Sequence, residues 1–279
     1  MGSVHDLSPE QSADVLRLAA EAAENDGVEA LSEQTLLSVR HGGGEHHLRY
    51  EDGRLVGYAH GDGEGAEVVV DPGFRRRGIG RKLVSALLEA DEGIRVWAHG
   101  DLPGAAELAA GLGMAPVRTL LQMRRPLTGE LPVMRIHAGF TLRTFEPRDA
   151  EAWLRLNRLT FADHPEQGQW TEEDLRLRLA EPWFDPKGFF LACKDDRLVG
   201  FHWTKVHPDG IGEVYVVGVD PSAQGVGLGR TLTLAGLHHL KSLGLETVLL
   251  YVDGENTSAV RLYESLGFTR YRADVMYGR

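Results

Sequence analysis

The sequence VVGVDPSAQGVGLGR, residues 216–230, is the most informative part of the chain. A β-branched run stops at Asp220-Pro221, passes through glycines at positions 225, 227 and 229, and leads into an apolar segment free of helix breakers. This order predicts a β-strand, a tight loop and an α-helix. Because the first turn of a helix has free backbone N–H groups, and glycines let an anion approach them, the loop is expected to bind a diphosphate.

Two familiar phosphate-binding loops do not match this sequence. A P-loop has Lys and then Ser or Thr after its last glycine, whereas Leu228 follows Gly227. A dinucleotide-binding fingerprint needs a third glycine where Arg230 stands. The pattern Gln224-x-x-Gly227-x-Gly229 after Val-Asp-Pro instead resembles the acyl-CoA loop of the GCN5-related N-acetyltransferase (GNAT) family. The simpler alternative is a strand-to-helix turn with incidental glycines.

The same motif occurs earlier in the chain, as VVVDPGFRRRGIG at residues 68–80. Asp71 and Asp220 are 149 positions apart, and so are Gly78 and Gly227. Other matching segments are 143 and 154 apart, a drift that loop insertions produce between two copies of one fold. We therefore expect an α/β protein with a mixed (α+β) sheet and two tandem GNAT-fold domains, at residues 1–127 and 140–279, joined by a linker at 128–139.

The composition is that of a globular protein without nucleic-acid or membrane partners. The net charge of -11 disfavours a nucleic-acid binder, and no apolar run reaches membrane-spanning length. The first residues lack a signal-peptide pattern, so a cytoplasmic monomer is expected. Cys193, the one cysteine, is expected to be a packed strand thiol. The histidines of residues 41–47 are expected to be solvated in a loop, and no metal is expected.

Acetyl transfer from a thioester to an amine needs a base, oxyanion stabilisation and a proton donor for the thiolate. The segment NTSAVRLYESLGF, residues 256–268, resembles the last GNAT motif. That resemblance implies that Asn256 contacts the pantetheine arm and that the Tyr263 hydroxyl is the general acid beside the CoA sulfur. The alternative for Tyr263 is an aromatic side chain that only packs the helix.

The first copy lacks both of these groups. With the offset of 154, Tyr263 corresponds to Ala109 and Asn256 to Leu102. The N-terminal domain is therefore expected to hold a CoA-like ligand without catalysing transfer. The basic run of its loop is expected to face the CoA phosphates, although such a run is more often a solvated patch.

Glu213, at the start of the strand before the second loop, is the candidate base. The alternative is a surface carboxylate at a strand end. The resemblance implies that the strand backbone at residues 217–219 polarises the thioester carbonyl, and Gly218 is expected to form a β-bulge there. The residues expected to bind acetyl-CoA are Val217, Gly218, Val219, Gln224, Gly225, Val226, Gly227, Leu228, Gly229, Arg230, Asn256, Thr257, Ser258, Ala259, Val260 and Arg261, and in the first copy Val68, Val69, Val70, Arg76, Arg77, Gly78, Ile79, Gly80 and Arg81.

Longer segments resemble one tandem-domain branch of the GNAT family, which acetylates the cysteinyl amine of an aminothiol glycoside. They include FADHPEQG (161–168), FHWTKVHP (201–208) and EVYVVGVDP (213–221). By motif, the implied substrate-binding residues are Glu33, Glu166, Lys205, Glu213 and Tyr251. Two alternatives stay open: a GNAT enzyme for another amine (an aminoglycoside, a polyamine or a protein amino terminus) and a non-catalytic acyl-CoA sensor.

Overall fold

The computed structural model describes residues 3–63, 65–162 and 167–279, and it divides into two compact units. Unit 1 contains Met1–Leu121, Asp253–Glu255 and Arg272–Arg279, and unit 2 contains Gln122–Val252 and Asn256–Tyr271. The units are thus not contiguous stretches of chain, since the last eight residues belong to unit 1. The expected boundary at residues 128–139 concerns the two sequence copies, and it stays a prediction.

Unit 1 begins with a short strand and two helices, which are followed by the strands and helices of the first motif. Its elements are β1 (Ser3–Val4), α1 (Pro9–Asp26), α2 (Glu33–His41), β2 (Glu45–Glu51), β3 (Arg54–Gly61), β4 (Ala66–Val70), α3 (Ile79–Ala90), β5 (Val96–Ala98), α4 (Pro103–Ala110) and the first part of β6 (Ala115–Pro126). Both N-terminal helices have serine caps, in which Ser8 accepts from the Gln11 N–H and Ser32 accepts from the Thr35 N–H.

Helices cover both faces of the unit 1 sheet because neighbouring residues of a strand point to opposite sides. Leu55 and Tyr58 of β3 pack with residues of α1 and α2, whereas Val56 and Ala59 pack with α3, because an extra residue at Val56 shifts the alternation along β3. The C-terminal part of the last strand, β12 (Thr269–Gly278), pairs antiparallel with β5 through Val275 and Ala98. Its buried side chains complete the core of unit 1.

Unit 2 repeats this plan with longer strands. Its elements are the last part of β6, β7 (Phe140–Thr144), α5 (Ala150–Thr160), α6 (Glu172–Leu179), β8 (Phe189–Lys194), β9 (Arg197–Val206), β10 (Gly212–Val219), α7 (Leu228–Ser242), β11 (Thr247–Asp253) and α8 (Thr257–Ser265). The strand order is β6-β11-β10-β9-β8-β7, with β10 parallel to β11 and antiparallel to β9. The predicted mixed sheet is confirmed.

The core of unit 2 is aromatic on one face of the sheet and aliphatic on the other. Trp153, Phe189 and Trp203 pack with α5 and α6 on the first face, and the Phe189 and Trp203 rings stack with centroids 4.5 Å apart. Leu228 and Leu232 of α7 pack on the opposite face. Helix α7 therefore extends from the glycine loop across the sheet.

The prediction for the histidines near residue 45 was wrong. Strand β2 begins at Glu45, and His46 and His47 are 0% and 5% exposed. Pairing of β2 with β3 places His46 opposite His60, and His46 Nδ1 lies 2.7 Å from the Tyr58 hydroxyl. Burial lowers the pKa of His46 to about 4, so it stays neutral. The buried thiol of Cys193 agrees with its prediction.

No helix within the described ranges is long and apolar enough to cross a membrane. Among the same residues, no group of three or more His, Cys, Asp or Glu side chains is arranged to hold a metal ion.

Candidate active site

The site in unit 2 is built around β10, which separates from one neighbouring strand while staying paired with the other. Its parallel pairing with β11 runs from Gly212↔Val248 to Val214↔Leu250 and ends there. Its antiparallel pairing with β9 continues to Val219. The second half of β10 therefore has an edge that faces a gap beside β11, next to the glycine loop.

The β-bulge lies at Tyr215, between the paired residues Val214 and Val216, so the bulge predicted at Gly218 was wrong. The extra residue redirects Tyr215, whose hydroxyl accepts a hydrogen bond of 2.9 Å from Arg178 Nε. Gly218 is in regular register, and its small size has a packing reason. A Cβ there would lie 2.8 Å from the Phe201 ring and 2.9 Å from Thr160 Cγ2.

The loop after β10 has the predicted form of an anion site. Gly225 and Gly227 have φ of 81° and 82°, and Gly227 caps α7 with no side-chain hydrogen bond to its first turn. The N–H groups at the start of α7 are thus not occupied by a side-chain cap. Residues 217–219 end β10 and residues 224–230 form this loop and the first turn of α7. The Arg230 guanidinium donates a hydrogen bond to Ser265 Oγ at 2.9 Å, which ties α7 to α8.

The residues of the last motif begin α8. Asn256 is the N-cap, and its Oδ1 accepts from the Ala259 N–H at 3.1 Å and from Ser258 Oγ at 3.0 Å. Residues 257–261 form the first turns of the helix. Two predicted cofactor contacts, Asn256 and Ser258, therefore also fix the helix start.

Tyr263, the candidate acid, is 6% exposed and lies edge-on to Phe268 with ring centroids 5.8 Å apart. None of the described residues hydrogen-bonds to its hydroxyl. Burial raises the pKa of Tyr263, because the phenolate would be poorly solvated. The hydroxyl therefore keeps its proton at neutral pH, as a proton donor must.

Three of the five predicted substrate-binding residues share one face of the unit 2 sheet. Glu213 is paired with Lys205 on β9 and with Leu249 on β11. Tyr251 follows Leu249 by two positions, and residues two apart in a strand point to the same side. The register therefore brings Lys205, Glu213 and Tyr251 to a common face.

Aromatic and amide groups hold two of these side chains in place. Lys205 Nζ lies 4.7 Å from the ring centroid of Trp183 and 5.2 Å from that of Tyr215, within cation–π distance. The Tyr251 hydroxyl accepts a hydrogen bond of 2.7 Å from Gln122 Nε2. Trp183, Tyr215 and Gln122 were not predicted as site residues.

The other two predicted substrate-binding residues stay predictions. Glu33 is the first residue of α2 in unit 1. Glu166 lies outside the described residues.

Sequence reasoning also missed His207, whose Nε2 lies 2.6 Å from Glu213 Oε2. The Glu213 side chain is 8% exposed and that of His207 is 26% exposed. The Pro208-Asp209-Gly210 segment is a turn signal that folds β9 back on β10, and this signal could have placed the imidazole beside the carboxylate.

The corresponding loop of unit 1 borders a cavity of about 570 Å³. The predicted residues that line it are Val68, Val69, Val70, Arg76, Gly78, Ile79, Gly80 and Arg81. Leu102 and Ala109, which correspond to Asn256 and Tyr263, also line it, so apolar side chains stand where unit 2 has its amide and hydroxyl.

The arginines of this loop form contacts within unit 1. Arg75 makes two hydrogen bonds of 2.7 Å to Asp26, and Arg76 Nη1 lies 2.7 Å from an oxygen of Glu107. Arg81 donates to the Gly111 carbonyl oxygen, and the Arg77 guanidinium lies 4.7 Å from the Phe74 ring centroid. The pair of Arg76 with Glu107 is highly exposed and therefore weak.

A buried charge cluster closes another side of this cavity and was not anticipated. His99 Nδ1 lies 3.2 Å from Asp274, and His99 Nε2 lies 3.4 Å from Glu67. Desolvation alone would lower the pKa of His99, but the two carboxylates outweigh it and raise that pKa to about 10. The imidazolium also lowers the pKa of Glu67 against its complete burial.

Two family models match the chain, one in each sequence copy. The model of the acetyltransferase (GNAT) family matches residues 152–268, and that of the acetyltransferase (GNAT) domain matches residues 42–112. Among solved structures, a GCN5-related N-acetyltransferase from Sphaerobacter thermophilus has a TM-score of 0.72 and 25% identity, covering 99% of this chain and 95% of its own. A tandem GNAT protein from the clavulanic acid biosynthesis pathway has a TM-score of 0.74 at 20% identity, covering 99% and 97%, and shares the fold. The fold and the paired loops thus define a tandem GNAT acetyltransferase.

Similarity to curated proteins shows which family of GNAT acetyltransferases the chain belongs to. The mycothiol acetyltransferase of Thermomonospora curvata is 63% identical, over 97% of this chain and 94% of its own length. That of Thermobispora bispora is 60% identical over 95% of both chains. The chain belongs to the mycothiol acetyltransferase family.

Proposed function

We propose that the protein transfers the acetyl group of acetyl-CoA to the cysteinyl amine of 1D-myo-inositol 2-(L-cysteinylamino)-2-deoxy-alpha-D-glucopyranoside, which gives mycothiol and CoA. The observation that carries this proposal is the 63% identity to a mycothiol acetyltransferase along 97% of the chain. The site geometry supports it, because unit 2 combines an uncapped helix start, a buried carboxylate and a buried phenol.

In this proposal the backbone of unit 2 binds the co-substrate. The first turn of α7 receives the diphosphate, and the separated edge of β10 at residues 217–219 offers N–H groups to the thioester carbonyl. Asn256 contacts the pantetheine arm. The backbone N–H groups of residues 217–219 would stabilise the oxyanion that forms when the amine attacks the acetyl carbon.

Two side chains handle the protons. The Glu213 carboxylate takes a proton from the acceptor's ammonium group, so that the nitrogen lone pair can attack the acetyl carbon. When the carbon–sulfur bond breaks, Tyr263 donates its hydroxyl proton to the departing thiolate, and the second proton that the attacking nitrogen must lose restores the phenol. A tyrosine phenol is fully protonated at neutral pH, so Tyr263 has a proton to give.

The acceptor would bind on the face that Lys205, Glu213 and Tyr251 share. An aminothiol glycoside carries an ammonium group and many hydroxyls, and carboxylate and phenol side chains are suitable hydrogen-bond partners for these groups. Glu166 and Glu33 complete the proposed contacts by motif alone.

We further propose that the unit 1 cavity binds a CoA-like ligand without catalysing transfer. Its glycine loop and its weakly paired Arg76 suit phosphate binding, whereas Ala109 cannot donate a proton. Arg77 is the least supported of its predicted contacts, because it does not line the cavity.

The test is an assay of the purified protein with acetyl-CoA and a panel of amines. CoA release is measured by chromatography, and the acetylated product is identified by mass. We expect turnover with the cysteinyl glycoside. We expect none with an aminoglycoside, a polyamine or a peptide amino terminus. A preference for another amine would show that the proposed acceptor is wrong and that this amine is the substrate. Binding of acetyl-CoA without turnover of any amine would indicate a non-catalytic acyl-CoA sensor.

A further inference from the structure

The contact between His207 and Glu213 joins the candidate base to a second titratable group. The distance of 2.6 Å between His207 Nε2 and Glu213 Oε2 is that of a short, charge-assisted hydrogen bond. An ionised carboxylate only accepts hydrogen bonds, so the imidazole N–H is the donor. One oxygen of Glu213 is thereby engaged.

The turn between β9 and β10 fixes the backbone of His207. The His207 N–H donates to the Ile211 carbonyl at 2.9 Å, and its own carbonyl accepts from the Gly210 N–H at 2.9 Å. Gly210 has φ of 80°, which suits its place in this tight turn. The imidazole is therefore held by a rigid hairpin and not by a free loop.

Among the described residues, the paired strands bring one other charged side chain opposite Glu213. Lys205 lies opposite it on β9, and the neighbouring position on β11 is the apolar Leu249. The face toward α7 begins at Gly212, where an added Cβ would meet Leu240 at 3.1 Å. Lys205 Nζ is drawn to the rings of Trp183 and Tyr215.

We propose that His207 is a positioning residue for acetyl transfer. Its Nε2–H holds Oε2 of Glu213, which fixes the carboxylate rotamer and leaves Oε1 to accept the proton of the acceptor's ammonium group. This inference rests on the proposed function of Glu213 as base, but it applies to any amine that the protein acetylates. It adds a residue that sequence reasoning did not assign.

The experiment compares two substitutions of His207 that differ in one property. His207→Leu keeps the bulk of the side chain but removes the donor, whereas His207→Gln keeps an N–H donor that does not titrate. We expect His207→Leu to lower kcat about 10- to 100-fold, the scale of a misplaced catalytic group. The KM for acetyl-CoA should not change, and His207→Gln should recover most of the rate.

The division of the effect between kcat and stability separates positioning from a general structural role. Loss of a positioning hydrogen bond should lower kcat while the KM for acetyl-CoA and the melting temperature stay the same. A residue that only supports the hairpin would lower the melting temperature of His207→Leu and reduce kcat only in proportion to the unfolded fraction. His238→Leu is the matched control, because His238 Nε2 hydrogen-bonds to the backbone carbonyl of Pro132 at 3.1 Å, and His238 is not among the proposed site residues.

A double variant tests whether His207 acts through Glu213. In the Glu213→Gln background, His207→Leu should cause no further loss, because residues that act as one unit are not additive. An equal loss in both backgrounds would overturn the proposal, as would a wild-type rate in His207→Leu or no recovery in His207→Gln. Each variant is assayed with the amine that the wild-type protein prefers, so the wild-type acceptor range tests the proposed function separately.

Discussion

Gly78 and Gly227 offer a matched pair of substitutions that separates a binding role from a folding role. Both residues cap a helix at the end of a glycine loop, and both have φ of 82°. Alanine at either position adds one methyl group in a left-handed backbone conformation. The two changes are therefore chemically and conformationally alike, while only Gly227 belongs to the unit with Tyr263.

The structural cost should be nearly equal at the two positions. A non-glycine residue in the left-handed region costs about 1–2 kcal/mol. The Cβ of alanine would meet nothing within 4 Å at position 78 and would lie 3.1 Å from Nε2 of the His137 side chain at position 227. Each variant should therefore melt about 3–8 °C below the wild type.

The effect on catalysis should differ strongly. A Cβ at residue 227 stands where a diphosphate must approach the first N–H groups of α7. Loss of one hydrogen bond to a charged group costs about 1.5–3 kcal/mol, which is about 10- to 100-fold in kcat/KM for acetyl-CoA. Gly78→Ala should leave kcat/KM unchanged.

Steady-state kinetics with varied acetyl-CoA, run below both melting temperatures, measure this difference. If both variants are folded and Gly78→Ala is the slower one, the catalytic unit has been assigned wrongly. If both lose activity only in proportion to the unfolded fraction, the glycines serve the turns alone.

Three further predictions concern titratable residues. Tyr263→Phe should lower kcat about 10²- to 10⁴-fold while the KM for acetyl-CoA and the melting temperature stay the same, and a wild-type rate would make Tyr263 a packing residue. Glu213→Gln should slow transfer most near neutral pH and remove the acidic limb of the profile, whereas an unchanged profile would assign the base elsewhere. Since the folded pKa of His99, about 10, exceeds the unfolded value of about 6.5, its pairing with Glu67 and Asp274 stabilises unit 1 fully below pH 6.5, and this stability is lost as pH rises through 10. Urea unfolding at pH 6 and pH 10.5 should show the loss in the wild type and a smaller one in His99→Gln; equal losses would contradict the assigned pairing.

The fold could be predicted from the sequence because short stretches of residues specify its strands, loops and helix starts. A β-branched run followed by Asp-Pro and alternating glycines specifies strand, loop and helix within 15 residues, and two copies at a fixed offset revealed the tandem arrangement. The cap at Ser32 follows from the same kind of short-range rule.

The sequence pattern did not predict burial where that burial depends on strand pairing. A glycine-rich, histidine-rich segment looks like a solvated loop, yet pairing with β3 buries His46 and His47. The bulge was misplaced for a similar reason, since glycine was taken as its signal, whereas the position is set by the contacts of Tyr215 with Arg178 and the surrounding aromatic rings.

The sequence by itself determined the strand–loop–helix motif, its duplication and the family. It also showed that the first copy has Leu102 and Ala109 where the second has Asn256 and Tyr263. Only the tertiary structure decided which side chains meet. The turn after β9 placed His207 against Glu213, and the C-terminal strand brought Asp274 to His99, 175 residues earlier in the chain. The turn is a local signal that leaves the side-chain contact open, whereas the pairing of Asp274 with His99 joins residues whose separation carries no periodic signal, because it is selected by the packing of the whole unit.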